Sequence, residues 1–420
     1  MHPQVDEVSA GSQQDQERLL LELSRSHPTP VALSELFQFG LNATSDARLQ
    51  NAQFLHRELA IRLAQRAVEL AKLPHGLSER SSIADVSAWY AAAAFQVHKF
   101  DYPKTFEDEK RFTYMIKQLL RDHTAVVRSV ALGCIELKEE IGAEEWMSIQ
   151  DSIDEVLGSF YTSRIGVRFL MEQHITSEKN TPGFSGIIAK SCKPDEVARR
   201  AAADATELCL MHNSVAPRVN VVCKTPHATI TYVPSHISYM LTELLKNSLR
   251  STVEEHPNKH WKEMPPITVV VAQGDEDVTI RVSDEGGGIR RSRLHDIFSF
   301  LNSTALNSAV KDSESGLHGR SGEAGEMRVT PQNTPILAGW GVGLPLSRVY
   351  ARYFGGDLDI KSMEGYGTDA YLHLNVLGDG CENLPTKVQL SPASRDSTHT
   401  GFMTPYNPLS KSDAYSRRDY

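Results

Sequence analysis

The sequence predicts an α plus α/β protein, an N-terminal four-helix bundle followed by an α/β sandwich. Three observations predict it. Apolar residues recur at helical spacing through much of the N-terminal half, and strand-like alternation appears only in the C-terminal half. There three polar segments follow one another: Glu243-Leu-Leu-Lys-Asn247, Asp284-Glu-Gly-Gly-Gly288 and Gly339-Trp-Gly-Val-Gly343.

The bundle is read first. Leu55, Leu59, Leu63 and Leu70 form one stripe on a segment that Pro74 stops, and Phe112 to Glu140 and Ile153 to His174 are patterned similarly. Long antiparallel helices with short polar connections imply four packed helices.

In the second half, Glu243, Asn247 and Arg250 stand at i, i+4 and i+7, so one helix face projects them while Ile237, Leu241, Leu244 and Leu245 turn to a core. An Asn oxygen suits Mg²⁺, which takes its other oxygens from phosphates and water. Glu243 is placed to accept a proton from an attacking hydroxyl. Alone, this helix reads more readily as a solvated amphipathic one; the next two segments reverse that. Ile267-Thr-Val-Val-Val271 and Val278-Thr-Ile-Arg-Val282 alternate as a hairpin around Gln273-Gly-Asp-Glu-Asp277, which puts Asp284 at a strand end. Its carboxylate can accept from an adenine amine while Gly286, Gly287 and Gly288 let the base approach the backbone.

Gly339, Trp340, Gly341, Val342 and Gly343 lead into a helix, Leu344 to Phe354, with Pro345 in its first turn and Gly355-Gly356 at its end. Amides exposed at that start suit phosphate. Residues 302–338 read either as a mobile lid or as a passive disordered insertion. Leu358 to Ile360 and Ala370 to Val376 supply further strands, and Thr368 can reach adenine through water.

A chain of 420 residues, 40% hydrophobic, is long enough for two cores, and a net charge of -9 with a pI near 6.0 argues against a nucleic-acid surface. Five scattered cysteines have no metal-ligand spacing and read as reduced thiols. No apolar run is long enough to span a bilayer. Residues 1–17 are polar and acidic, unlike an Arg-rich transit peptide.

The order of these motifs resembles the GHKL (Bergerat) ATP-binding fold of gyrase, MutL, heat-shock chaperone ATPases and sensor histidine kinases. Within it, Val233-Pro-Ser-His236, Glu243 to Arg250, Gly341-Val-Gly-Leu-Pro-Leu-Ser-Arg348 and Ser362 to Tyr371 resemble the pyruvate dehydrogenase kinases, plant-type members most closely. Phe54 to Arg62, Arg121-Asp-His123 and Phe160 to Arg168 extend the likeness into the bundle.

The resemblance implies an ATP- and Mg²⁺-dependent protein serine kinase that acts on the decarboxylase alpha subunit of the pyruvate dehydrogenase complex. It implies docking to a lipoyl domain of the acyltransferase core, a homodimer and a mitochondrial matrix location. Glu243 would be the base, Asn247 the metal ligand, and Lys246 or Arg250 would meet phosphoryl charge. Ser303 and Thr304 would contact nucleotide. His123 would pair with Glu243, although a plain buried histidine explains it as well. Arg164 would line a pocket that senses pyruvate-like acids, or else form an interhelical ion pair. The Asp-Trp pair of animal members is absent from the tail, and Asp122 stands where pyruvate dehydrogenase kinases carry Arg, as in the branched-chain 2-oxoacid dehydrogenase kinases. A conformational ATPase is the rival of another class.

The expected organisation is a polar segment over 1–24, the bundle over 25–178, the ATP-binding unit over 179–380 and a flexible tail over 381–420.

Overall fold

A computed structural model describes residues 4–41, 44–179, 181–225, 228–302, 341–376 and 381–384. Its N-terminal half is helical: α1 (Gln4–Arg25), α2 (Leu33–Leu41), α3 (Ser45–Leu70), α4 (Ser81–Lys99), α5 (Phe106–Asp122), α6 (Val126–Ile141) and α7 (Ala143–Ser177). Local chemistry fixes several of the starts. Thr44 caps α3 by accepting from the Ala47 amide, and Thr105 with Asp108 closes a reciprocal capping box on α5. The leucine stripe of α3 is fully buried, and the helix packs against α4, α5 and α7.

The expected single helix from Phe112 to Glu140 is two. It breaks at His123 to Ala125, where Thr124 Oγ1 donates back to the Arg121 carbonyl. The His123 carbonyl accepts instead from Arg164 Nη2 at 3.1 Å. With α5 and α6 read as one broken rod, α3, α4, α5/α6 and α7 make up the four-helix bundle. α1, a helix in the stretch expected only to be polar, packs on α3.

The second half contains β1 (Phe184–Ser185), β2 (Ile188–Cys192), α8 (Pro194–Asn213), β3 (Val219–Cys223), β4 (Ile230–Tyr232) and α9 (Pro234–Glu255). After these come β5 (Ile267–Gln273), β6 (Asp277–Asp284), α10 (Gly343–Tyr353), β7 (Asp357–Met363) and β8 (Gly367–Asn375). Pro194 and Pro234 open α8 and α9, where a missing N–H costs nothing.

The main sheet has the order β3-β5-β6-β8-β7, with β3 parallel to β5 and the other pairs antiparallel; β1, β2 and β4 form a small second sheet. Strict alternation in β5 and β6 buries Ile267, Val269, Val271, Val278, Ile280 and Val282 on one face. α8 and α9 pack against strands of this sheet, and α10 packs on both α9 and α7. One apolar cluster therefore runs from the bundle into the sandwich.

The tail expected to begin at residue 381 starts docked instead. Cys381 pairs with Ala32, Glu382 is buried, and the Asn383 amide donates to the Tyr353 carbonyl at 3.1 Å. Residues from 385 onward lie outside the described residues.

Candidate nucleotide site

α9 has two faces. Ile237, Met240, Leu241, Leu244, Leu245 and Leu249 are buried, and the opposite side presents Glu243, Lys246, Asn247 and Arg250 to a cleft of about 520 Å³. The floor comes from Asp284 and Gly286, the rims from Gly288, Asn302 and Thr368 and from the start of α10 at Gly341, Gly343 and Leu344. The polar residues picked from sequence thus converge from α9, β6, β8 and α10.

Asp284 is held on both oxygens: Oδ2 accepts from Ser248 Oγ at 2.7 Å and Oδ1 from the Gly286 amide at 3.0 Å. Burial pushes its carboxyl above the ordinary range, and the Ser248, Gly286 and Thr368 hydrogen bonds oppose that rise. Thr368 stands directly across the ladder from Asp284, and its hydroxyl shares a 2.9 Å hydrogen bond with Ser362. Ser362 Oγ in turn accepts from the Ile289 amide at 2.8 Å, which ties the glycine turn to β7. At Gly288, φ is +69° and any Cβ would collide with the Met363 carbonyl, so only glycine fits this turn.

At the other end of the cleft, Lys246 Nζ donates to Glu243 Oε1 at 2.6 Å, and both side chains are largely buried. The Glu243 carboxylate lies against Gly343, the first residue of α10, where a Cβ would occupy its place. A carboxylate is therefore held beside a helix N-terminus whose first-turn amides suit phosphate. Asn247 is exposed and has no hydrogen-bond partner among the described residues. One open neutral oxygen fits Mg²⁺ that draws its remaining ligands from phosphates and water. No cluster of three or more His, Cys, Asp or Glu able to hold a metal exists among the described residues. Asn247 would hold the ion, and the ion would supply charge neutralisation at the phosphates.

Arg250 lines the cleft and faces Glu254 at 3.5 Å. Val342 is buried and caps α10 without lining the cleft. Ser303, Thr304, Gly339 and Trp340, with all but Asn302 of the expected lid over 302–338, lie outside the described residues.

His123 is not joined to Glu243 by any hydrogen bond or ion pair among the described residues. It is buried at the α5/α6 break with its ring 4.8 Å from that of Tyr90. Burial, then the Arg164 charge, lowers its pKa to about 4. The interhelical ion pair considered for Arg164 is absent among the described residues. This buried guanidinium donates to the His123 carbonyl, its Nε has no partner, and burial lowers its pKa.

Sequence reading missed Ser248 and Ser362 as the residues that orient Asp284 and Thr368. Both sit inside the conspicuous motifs, but only the ladder register shows whom they touch.

The fold and cleft define an ATP-binding protein of the GHKL class. A family model for histidine kinase-, DNA gyrase B- and HSP90-like ATPases matches residues 232–377. A model for mitochondrial branched-chain alpha-ketoacid dehydrogenase kinase matches residues 30–189. The mitochondrial pyruvate dehydrogenase (acetyl-transferring) kinase of Arabidopsis thaliana is 45% identical over 85% of this chain and 93% of its own length. The Drosophila melanogaster enzyme of that name is 34% identical over 85% of this chain and 84% of its own. Human pyruvate dehydrogenase kinase isozyme 1 is 34% identical over 86% and 81% respectively. The chain belongs to the pyruvate dehydrogenase (acetyl-transferring) kinase family.

Proposed function

We propose that this protein transfers the ATP γ-phosphoryl to a serine of the pyruvate dehydrogenase decarboxylase alpha subunit and so inactivates that complex. The observation that carries the reading is the placement of Glu243, one turn from Asn247 and against the first residue of α10. In the proposed chemistry Asp284 selects adenine, the α10 amides receive phosphate, and Asn247 holds Mg²⁺. Glu243, oriented by Lys246, takes the serine proton as the phosphoryl leaves. Lys246 and Arg250 also offer positive charge to the transferring oxygens.

The names of the relatives support the pyruvate complex as substrate and a mitochondrial location. A location in the matrix and recruitment by a lipoyl domain are the finer part of the proposal and rest on the family resemblance alone. A homodimer and the division into a bundle over 25–178 and an ATP-binding unit over 179–380 belong to the same reading. Arg164, a buried cation with no counter-ion among the described residues, is proposed as the anchor for a pyruvate-like acid that regulates the enzyme. The rival substrate is the branched-chain complex, favoured by the N-terminal family match and by Asp122. Incubation with each purified complex and γ-labelled ATP separates them: label in the pyruvate complex alone supports the proposal, and label in the branched-chain complex alone replaces it. Binding or hydrolysis of ATP without protein labelling would identify a conformational ATPase.

A further inference from the structure

The stretch that leads from the glycine turn to the cleft rim, Phe298 to Asn302, is gripped from two sides. From the bundle, Asp154 on α7 accepts the Phe300 amide through Oδ1 at 2.8 Å and also bonds the Ser299 side chain. The Phe300 ring packs on Tyr161, with centroids 5.1 Å apart, and is itself buried. From the sandwich, the Arg348 guanidinium of α10 lies 4.2 Å from the Phe298 ring centroid.

The next residue carries the constraint to the nucleotide. Leu301 is buried with φ +64°, a conformation that costs a branched side chain energy and persists only where neighbours enforce it. Its amide donates to the Gly341 carbonyl at 3.1 Å, and Gly341, at φ +70°, comes so close that a Cβ there would stand 2.9 Å from the Leu301 and Asn302 backbone. Asn302 and Gly341 both line the cleft.

We propose that Asp154 is a positioning residue for nucleotide binding: from the helical bundle, its carboxylate fixes the Ser299 to Asn302 backbone, and through it Gly341, at the rim of the ATP cleft. The inference rests on the ATP reading of that cleft. No described basic side chain pairs with Asp154, so its charge is balanced by the Phe300 amide and the Ser299 hydroxyl. The charged and titratable groups around it are Asp151 on α7, Asp296 beside the rim segment and the Cys134 thiol of α6. Burial pushes its carboxyl up to about 6, opposed by those two hydrogen bonds and reinforced by the two aspartates. Protonation weakens a charge-assisted acceptor, so the grip loosens as pH falls through about 6.

The test uses the full-length chain, wild type, Asp154→Ala and Asp154→Asn, with ATP affinity measured by calorimetry from neutral to mildly acid pH and thermal unfolding recorded in parallel. Asp154→Ala is expected to bind ATP about tenfold more weakly, the value of a hydrogen bond to a charged group, while remaining folded at the temperature of the binding measurement. Wild-type affinity is expected to decline as pH passes through about 6, and Asp154→Asn to abolish that inflection. Should Asp154→Ala fail to fold, the pH curve of Asp154→Asn decides. Undiminished affinity in Asp154→Ala, or an unchanged inflection in Asp154→Asn, overturns the inference while wild-type ATP binding still upholds the site. A wild type that binds no ATP overturns both.

Discussion

Arg62 on α3 and Glu382, which follows the last strand, form a two-pronged ion pair in the protein interior, Nη1 to Oε1 at 3.0 Å and Nη2 to Oε2 at 2.8 Å. The Val31 amide also donates to Glu382, at 3.1 Å, and Tyr353 at the end of α10 donates its hydroxyl to the same carboxylate. One side chain thus joins the N-terminal segment, the bundle and the helix whose other end lines the cleft.

Glu382→Ala leaves the buried Arg62 guanidinium with the Thr29 carbonyl at 2.8 Å and a single carboxylate, Glu58, at 3.4 Å. Breaking such a pair costs on the order of 3 kcal/mol, because the surviving charge has lost its compensation. Denaturant unfolding is expected to show a lower midpoint with an unchanged slope. An unchanged midpoint would mean that residues 381–384 are dispensable to the fold.

Acid sensitivity is expected from the bundle interior. Burial raises the Glu109 carboxyl, but hydrogen bonds from His174 and Thr113 and the Arg48 charge outweigh it and bring the pKa to about 2. A carboxylate depressed on folding contributes stability that is present above its unfolded pKa and lost as pH falls through the folded value. That contribution should disappear between the ordinary carboxylate range, 4.5, and about 2. Chemical denaturation of Glu109→Gln over that interval should give a flatter stability curve than wild type.

Arg164→Met conserves volume and removes a buried charge that no described carboxylate balances. Its melting temperature should match or exceed that of wild type, while inhibition of phosphoryl transfer by a pyruvate analogue should be lost. Retained inhibition removes Arg164 from the regulatory pocket.

His123 is neutral at physiological pH, since burial and then Arg164 lower its pKa to about 4. His123→Gln should therefore leave the neutral-range pH profile of turnover at saturating ATP unaltered. A shifted acid limb in that variant would show that His123 tunes the base despite the lack of a direct contact.

Much of the cleft was legible because its chemistry is local. Glu243, Asn247 and Arg250 share a helix face by spacing alone, and strand alternation placed Asp284 at the end of β6. The partners were illegible because they depend on register and packing: Ser248 is chosen by its distance to Asp284, and Ser362 by the β7–β8 ladder. The α5/α6 break escaped notice for a related reason. Apolar periodicity continues across it, and what ends α5 is a carbonyl taken by Arg164, 41 residues away. The docking of Glu382 likewise depends on Arg62, 320 residues distant.

In the proposed mechanism Glu243 drives phosphoryl transfer from a nucleotide held by Asn247 and Asp284. Glu243→Gln tests it most directly, by parallel measurement of ATP binding and of label transfer to purified pyruvate dehydrogenase complex. ATP binding retained, with label transfer reduced by about 10²-fold or more, is the predicted result, the scale of a lost general base. Transfer at the wild-type rate by that variant would rule out Glu243 as the base.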